Sequence, residues 1–265
     1  MNQRFYILTA SNNGNLLTLG GAEFQATISG PAYITSNSVD GQDGTYFIDF
    51  LATRSGEYVA RVFQLPQDIG GSPASFAVLP GPSFPANTLV SLQDGQVVTA
   101  GLAFSFTAQA RDEYGNARGE GGDGVEIAFR HASGGSVQVS VLDFANGTYA
   151  VVFSVTVSGS YSLSVRLGSQ DIGGSPASFA VLPGPSFPAN TLVSLQDGQV
   201  VTAGLAFSFT AQARDEYGNA RGEGGDGVEI AFRHASGGSV QVSGLDLQTG
   251  EYSFSALLTA SGTYT

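Results

Sequence analysis

Two stretches of sequence decide the fold: residues 125–131, which read VEIAFRH, and residues 148–155, which read TYAVVFSV. In both, apolar side chains alternate with polar or small ones, which is the period of two that a half-buried β-strand shows. Neither has the spacing of three and four residues that marks an amphipathic helix. The second stretch follows Asn146 and Gly147, two residues typical of tight turns. The two stretches therefore predict two strands of an antiparallel β fold.

The same alternation continues outward on both sides. It predicts five more strands, at Leu89–Leu92, Ala103–Arg111, Val137–Leu142, Tyr161–Leu167 and Ser178–Val181. About seven strands in about 100 residues, with no helical pattern, predict an all-β, immunoglobulin-like antiparallel β-sandwich. Tyr161 stands where such sandwiches tie a corner to the backbone through a tyrosine hydroxyl.

The chain repeats itself at a fixed offset. Residues 67–140 recur as residues 170–243 without a mismatch, an offset of 103, and a diverged copy keeps the same register upstream of them. We predict three units: residues 1–79, which lack the first strand; residues 80–182, which are complete; and residues 183–265, which lack the last strand. We call them the first, middle and third units. Proline-rich seams at Pro80-Gly81-Pro82 and Pro183-Gly184-Pro185 separate them, and we expect a fragment of an elongated rod.

Composition excludes several classes of function. The 265 residues carry 22 acidic and 10 basic side chains for a net charge of −12, and the basic ones are scattered arginines, so we expect no nucleic-acid binding. No apolar run approaches the roughly 18 residues of a membrane-spanning helix, so we expect no membrane insertion. The absence of cysteine excludes disulfides and thiolate metal sites.

The sequence predicts no enzyme, no cofactor and no catalytic or metal-binding residue. Gly119–Gly124 fits the spacing of a dinucleotide-binding loop, but a strand and not a helix is predicted to follow it. The stretch 112–123 is faintly similar to a calcium loop, but Ala117 stands where the sharp-turn glycine belongs. We interpret Asp112 and Asn116 instead as residues that bond the backbone of their own turn. His131 and His234 are one position in two copies, with no second ligand nearby.

Five short motifs resemble the filamin-type immunoglobulin repeat. In order they are Asp112 with Gly115 and Asn116; Gly121-Gly122-Asp123; Asp143 with Gly147-Thr148-Tyr149; Gly159 with Tyr161; and Ile172 with Gly174-Ser175-Pro176. The first unit departs from this pattern, with Ser11 and Ala22 in place of the two early aspartates, so we expect its early turns to differ.

The resemblance implies a spacer and docking rod, cytoplasmic and linked to the cytoskeleton, in which actin is contacted only through regions absent here. Filamin repeats typically bind partner peptides by adding them as a strand beside strand C, over a groove toward strand D. Carried over by position, the partner-binding residues are Glu126, Ala128, Val137, Val139 and Val141 in the middle unit and Glu229, Ala231, Val240 and Val242 in the third. The valine stripe also fits ordinary core packing.

Two departures affect this expectation. Glu126 places a charge where small apolar residues favour strand addition, because burying it costs desolvation. Gly244 replaces the equivalent of Val141, so the middle and third units are expected to differ in docking. An alternative reading is an extracellular or cell-surface adhesion stalk, which the missing lysines and the abundant serine, threonine and glycine would suit.

Overall fold

The computed structural model describes residues 3–11, 13–132, 137 and 139–265, and within them the regular structure is β-strand with two short 3-10 turns. The first unit contains eight strands: β1 (Gln3–Leu8), β2 (Gln25–Ser29), β3 (Ile34–Asn37), β4 (Val39–Asp40), β5 (Thr45–Phe50), β6 (Gly56–Gln64), β7 (Gln67–Asp68) and β8 (Ala74–Val78). One sheet has the order β1-β5-β4; the other has the order β3-β2-β6-β7, with β8 also paired to β6.

The middle unit begins with a 3-10 turn at Pro85–Asn87. Its strands are β9 (Leu89–Val90), β10 (Gln96–Thr99), β11 (Ala103–Gln109), β12 (Val125–His131), β13 (Ser140–Asp143), β14 (Thr148–Ser154), β15 (Gly159–Leu167), β16 (Gln170–Asp171) and β17 (Ala177–Leu182). One sheet has the order β13-β14-β11-β9 and the other the order β10-β17-β15-β12. Strand β10 runs parallel to β17. The short strand β16 pairs antiparallel with the end of β15.

The third unit repeats the opening turn at Pro188–Asn190. Its strands are β18 (Leu192–Val193), β19 (Ala206–Gln212), β20 (Glu229–Arg233), β21 (Ser239–Ser243), β22 (Leu245–Asp246) and β23 (Glu251–Leu257). The sheet β18-β19-β23-β22 matches the first sheet of the middle unit, while β20 pairs with β21. Tyr264 bridges to His234 at the far end of β20.

Each sandwich closes over its own apolar core. In the middle unit the alternate residues of β11, β12, β14, β15 and β17 turn inward, and Phe129, Phe153 and Phe179 meet there, with Phe129 and Phe153 at 4.3 Å between ring centroids. The period of two places these side chains on one face because successive Cβ atoms of a strand point to opposite sides. Burial of such large side chains contributes about 1.5–3 kcal/mol each.

The predicted all-β immunoglobulin-like fold is confirmed, and β12 has the predicted bounds Val125–His131. The predicted strand Val137–Leu142 is shorter and later in the structure, because β13 spans Ser140–Asp143; Gln138 lies outside the described residues. The sequence pattern missed β10, which contains the adjacent apolar residues Val97 and Val98 and no clear alternation.

The first unit's early turns do not differ as expected. Ser11 and Asn15 exchange the same backbone bonds as Asp112 and Asn116, since Ser11 N donates to Asn15 O at 2.8 Å and Asp112 N donates to Asn116 O at 3.0 Å. What changes is the side chain: the Ser11 hydroxyl accepts one bond from the turn, at 3.2 Å, whereas the Asp112 carboxylate accepts several. The turn is therefore set by its backbone and its glycine.

Candidate functional site

Strand β12 of the middle unit has a partner on one edge among the described residues, namely β15. The flanking bonds Gly168 N to Gly124 O and Ala132 N to Ser160 O show that the even-numbered residues face β15. Because an antiparallel ladder alternates bonded and non-bonded pairs, the N–H groups of Ile127 and Phe129 point to the opposite, free edge. These are the groups to which an added strand would bond.

The side chains of β12 alternate between the outer surface of the sheet and the core. Glu126, Ala128 and Arg130 are exposed on the outer surface of β12, and the register places Glu126 opposite Arg166 of β15. Ile127 and Phe129 turn into the sandwich. The structure thus brings Glu126 and Ala128 to the predicted edge, with a cation across from the carboxylate.

The predicted groove residues lie at the mouth between the two sheets. Val137 and Val139 are partly buried against the core, as the core-packing reading expects, and neither belongs to a strand. Val141 of β13 lies opposite the fully buried Val151 and therefore on the inner side of its sheet, but it is 38% exposed. Apolar surface thus remains open beside the free edge of β12.

In the third unit a strand lies along the edge of β20 that corresponds to the predicted docking edge of β12. There Ser239–Ser243 forms β21 and pairs along β20, so that Ala231 lies opposite Gln241 and Glu229 opposite Ser243. Val242 is buried in the core and Val240 is only partly covered. The first unit does the same with β3 on β2. Strand C of the filamin pattern corresponds to β2 in the first unit, β12 in the middle unit and β20 in the third. In both flanking units the edge of strand C is occupied by the unit's own chain, and the four third-unit positions do not form an open groove.

The motif aspartates form hydrogen-bonded joints and not an ion site. Asp112 is 2% exposed and accepts bonds from Tyr114 N, Asn116 N and Gly81 N, all at 2.9 Å. This confirms the interpretation that Asp112 bonds its own turn. The same interpretation is wrong for Asn116, whose side chain bonds Thr53 O, Ser55 N and the Asp112 carboxylate. Burial alone raises the pKa of Asp112, but the hydrogen bonds from Asn116, Gly81 and Tyr114 outweigh it, so the pKa lies below the ordinary value.

A second joint lies beside the first. Asp123 accepts a bond from the Ser83 hydroxyl at 2.6 Å and from the Tyr149 hydroxyl at 2.9 Å. The pKa of Tyr149 is raised to about 12, chiefly by burial and also by this carboxylate. Gly122 N donates to Asp143 at 2.8 Å, so the motif Gly121-Gly122-Asp123 meets the motif of Asp143 and Tyr149.

Two further candidates from the sequence analysis, the glycine-rich segment and His131, do not form a cofactor or metal site among the described residues. Gly119–Gly124 leads into strand β12, so it lacks the helix of a dinucleotide site. His131 packs edge-on against Tyr161 at 4.7 Å between ring centroids, and the described residues contain no group of three metal-ligating side chains.

A cavity of about 660 Å3 in the third unit is lined partly by Phe232 and Tyr264. In the middle unit the equivalent space holds Phe179, which packs against Phe129. No helix among the described residues is long and apolar enough to span a bilayer.

These features define a class: proteins built from tandem immunoglobulin-like β-sandwiches. The sequence profile of the Filamin/ABP280 repeat matches residues 82–178. The middle unit is accordingly a filamin-type immunoglobulin-like repeat, and residues 185–243 repeat the first part of the matched region exactly.

Comparison with known proteins agrees with this assignment. Filamin-C of Rattus norvegicus and filamin-C of Mus musculus are each 28% identical to the chain over 169 residues, which is 62% of this chain and 6% of either relative. The chain thus spans a small part of the length of the curated relatives it matches. The solved structure of the Escherichia coli adhesin FdeC covers 98% of this chain, and the chain covers 84% of it, with a TM-score of 0.58 and 22% identity. That likeness shows the immunoglobulin-like fold.

Proposed function

We propose that this chain is a non-enzymatic spacer and protein-interaction rod, and that its middle unit docks extended peptides by strand addition at β12. The observation that carries the proposal is the contrast between units: β12 has one free edge among the described residues, whereas β2 and β20 are paired on that edge by β3 and β21. An open strand edge beside apolar surface is what β-augmentation requires.

The flanking units indicate which peptide chemistry fits. The segments that cover strand C there read ITSN, residues 34–37, and SVQVS, residues 239–243. Both are uncharged and place β-branched residues beside small polar ones. The ligand of β12 is therefore an uncharged extended segment whose β-branched side chains alternate toward Val137, Val139 and Val141. An acidic peptide is disfavoured, because Glu126 stands on the same strand.

Amide exchange in the full chain tests the free edge directly. The N–H groups of Ile127 and Phe129 are expected to exchange faster than those of Ile230 and Phe232, although the local sequences are identical. Addition of the peptide Gly-Gly-Ser-Val-Gln-Val-Ser-Gly is expected to shift and protect the β12 amides saturably and to leave those of β20 unchanged. Equal protection of the two strands without peptide would overturn the proposal.

A matched pair of variants tests the groove. Val141→Asp places a charge at the mouth and is expected to weaken peptide binding about tenfold or more, since the carboxylate loses hydration when covered. Val152→Asp makes the same change on the outer face of the adjacent strand, where Val152 is 57% exposed, and is expected to leave binding unchanged. Equal effects of the two variants would place the peptide elsewhere.

We further propose a cytoplasmic, cytoskeletal setting, in which actin is reached only through regions outside this chain. It is supported by the filamin-C matches. The second candidate is an extracellular adhesion stalk, and the observation in its favour is composition: every basic side chain is an arginine. Sequencing the full reading frame separates the two, because a calponin-homology head indicates an actin crosslinker and a signal peptide indicates a stalk.

A further inference from the structure

The side chain of Asn116 crosses the seam between the first and middle units. Its Nδ2 donates to Thr53 O at 2.8 Å, and its Oδ1 accepts a bond from Ser55 N at 3.0 Å. Both polar atoms of the Asn116 side-chain amide therefore bond to one bend of the first unit, residues 53–55. The bend is itself held in shape, because the Tyr58 hydroxyl donates to Arg54 O at 2.9 Å, between the two groups that Asn116 contacts.

The turn that carries Asn116 is fixed to the seam as well. The Asp112 carboxylate accepts bonds from Asn116 Nδ2 at 2.8 Å and from Gly81 N at 2.9 Å. Arg118 Nη1 donates to Gly81 O at 2.9 Å, so both backbone groups of the seam glycine are held by the middle unit. Seam, turn and bend form one continuous hydrogen-bonded joint.

The second seam repeats this joint atom for atom. Asn219 Nδ2 donates to Thr156 O at 2.7 Å, and Ser158 N donates to Asn219 Oδ1 at 2.9 Å. Asp215 and Arg221 hold the two backbone groups of Gly184, at 2.8 Å and 2.9 Å. These four contacts occur at both seams, 103 residues apart, and indicate a built interface and not a chance approach of two surfaces.

A ring of the third unit also packs on the middle unit at the second seam. The ring of Tyr217 lies directly over Gly101 of the middle unit, in the space that a Cβ would fill. Gly101 also has a φ of 81°, which favours glycine. The Tyr217 ring of the third unit thus packs against the Gly101 backbone of the middle unit.

We propose that the bend Thr-x-Ser of each unit is a docking surface for the Asp-x-x-Gly-Asn turn of the unit that follows, and that this contact fixes the angle between units. The bends are residues 53–55 and 156–158, and their partners are the turns 112–116 and 215–219. The proposal concerns the spacer part of the proposed function. It holds whether or not β12 binds peptides.

Distance measurements in the full chain test the joint, and the absence of native cysteine makes labelling specific. Spin labels at Thr35→Cys and Ser105→Cys report on the first seam; labels at Ser105→Cys and Ser208→Cys report on the second. All three positions are exposed on strands. Asn116→Ala is expected to broaden only the first distance distribution and Asn219→Ala only the second.

Asn15→Ala is the matched control, because Asn15 holds the same turn position in the first unit and is exposed. It is expected to broaden neither distribution. Amide exchange of Ser55 is expected to rise about tenfold in Asn116→Ala, and that of Ser158 in Asn219→Ala. Circular dichroism confirms that the units stay folded. Unchanged distributions in both variants, with unchanged exchange at Ser55 and Ser158, would overturn the proposal, and peptide binding at β12 would be unaffected by that outcome.

Discussion

Gly244 lies against the ring of Phe254 so closely that a Cβ on Gly244 would be 2.6 Å from Cε1 of that ring. The ring is buried and stacks on Phe209 at 5.2 Å, so a Cβ on Gly244 would require the ring or the backbone to shift. At this point the chain crosses from β21, on β20, to β22, on β23. The first unit crosses at a small residue too, Ser38, whose hydroxyl accepts a bond from Phe24 N. The two units that cover their own strand C thus both have a small residue at this crossing.

Gly244→Val tests this relationship, because it introduces the residue that the middle unit has at position 141. The added side chain overlaps the Phe254 ring, so we expect a loss of about 1–3 kcal/mol in the free energy of unfolding. We also expect β21 to leave β20, so that the amides of Ile230 and Phe232 exchange as fast as those of Ile127 and Phe129. Gly222→Val is the control, since a Cβ there meets no atom within 4 Å. A protected β20 in Gly244→Val would contradict the explanation.

Part of the fold and of the candidate site could be predicted from the sequence, and part could not. Alternation of apolar residues gave the sandwich and the bounds of β12, because a local period of two dictates which face is buried. It could not show that Ser140 and its repeat Ser243 join different strands, β13 on β14 and β21 on β20, and the Gly244→Val variant tests whether the residue that follows, Val141 or Gly244, is the cause. Strand β10 was missed because its adjacent apolar residues Val97 and Val98 show no clear alternation. The recurring Thr-x-Ser-Gly-x-Tyr pattern was available as a signal for the docking bend.

Asp112→Ser copies the first unit's turn into the middle unit. A serine hydroxyl keeps the bond to Asn116 N but loses the charge-assisted bonds to Gly81 N and Asn116 Nδ2. We expect a loss of about 1.5–3 kcal/mol, the range for hydrogen bonds to charged groups. Thermal and urea unfolding measure it. Asp94→Ser, at an exposed turn with one bond to Ser178 N, is expected to cost less, and equal costs would show that the buried turn is not special.

Acid is expected to weaken both seams. The pKa values of Asp112 and Asp215 are lowered in the folded chain: burial raises each, but the hydrogen bonds from the neighbouring asparagine, seam glycine and turn amide outweigh it. A carboxyl with a lowered folded pKa contributes stability above its unfolded value of about 3.9, and that stability is lost as the pH falls through the folded value. The difference in melting temperature between the parent and the Asp112→Ser, Asp215→Ser double variant should therefore shrink below about pH 4. A difference that stays constant with pH would exclude this linkage.

Gly101→Ala and Gly204→Ala separate backbone strain from contact across the second seam. The two glycines hold equivalent positions with φ of 81° and 82°, so alanine costs about 1–2 kcal/mol of strain at either. Only Gly101 lies under Tyr217, whereas a Cβ on Gly204 meets no atom within 4 Å. We expect the Gly101 variant to lose more stability and to broaden the distance between labels at 105 and 208. Equal losses and an unchanged distance would mean that the Tyr217 contact does not contribute.

Tyr161→Phe tests whether the tyrosine corner supports the docking bend. The Tyr161 hydroxyl donates to Val157 O at 2.8 Å, in the middle of the bend that receives Asn219. Removing this bond is expected to cost about 0.5–1.5 kcal/mol and to raise amide exchange at Ser158, because the bend no longer holds Thr156 O and Ser158 N in position for one amide. Tyr264→Phe is the control: its hydroxyl donates to Ala260 O at 3.1 Å in the third unit, where the described residues include no following turn. Both variants should lose similar stability, but only Tyr161→Phe should broaden the distance across the second seam. Loss of stability with unchanged amide exchange at Ser158 would show that the Tyr161 hydroxyl stabilises the middle unit alone and not its joint with the third unit.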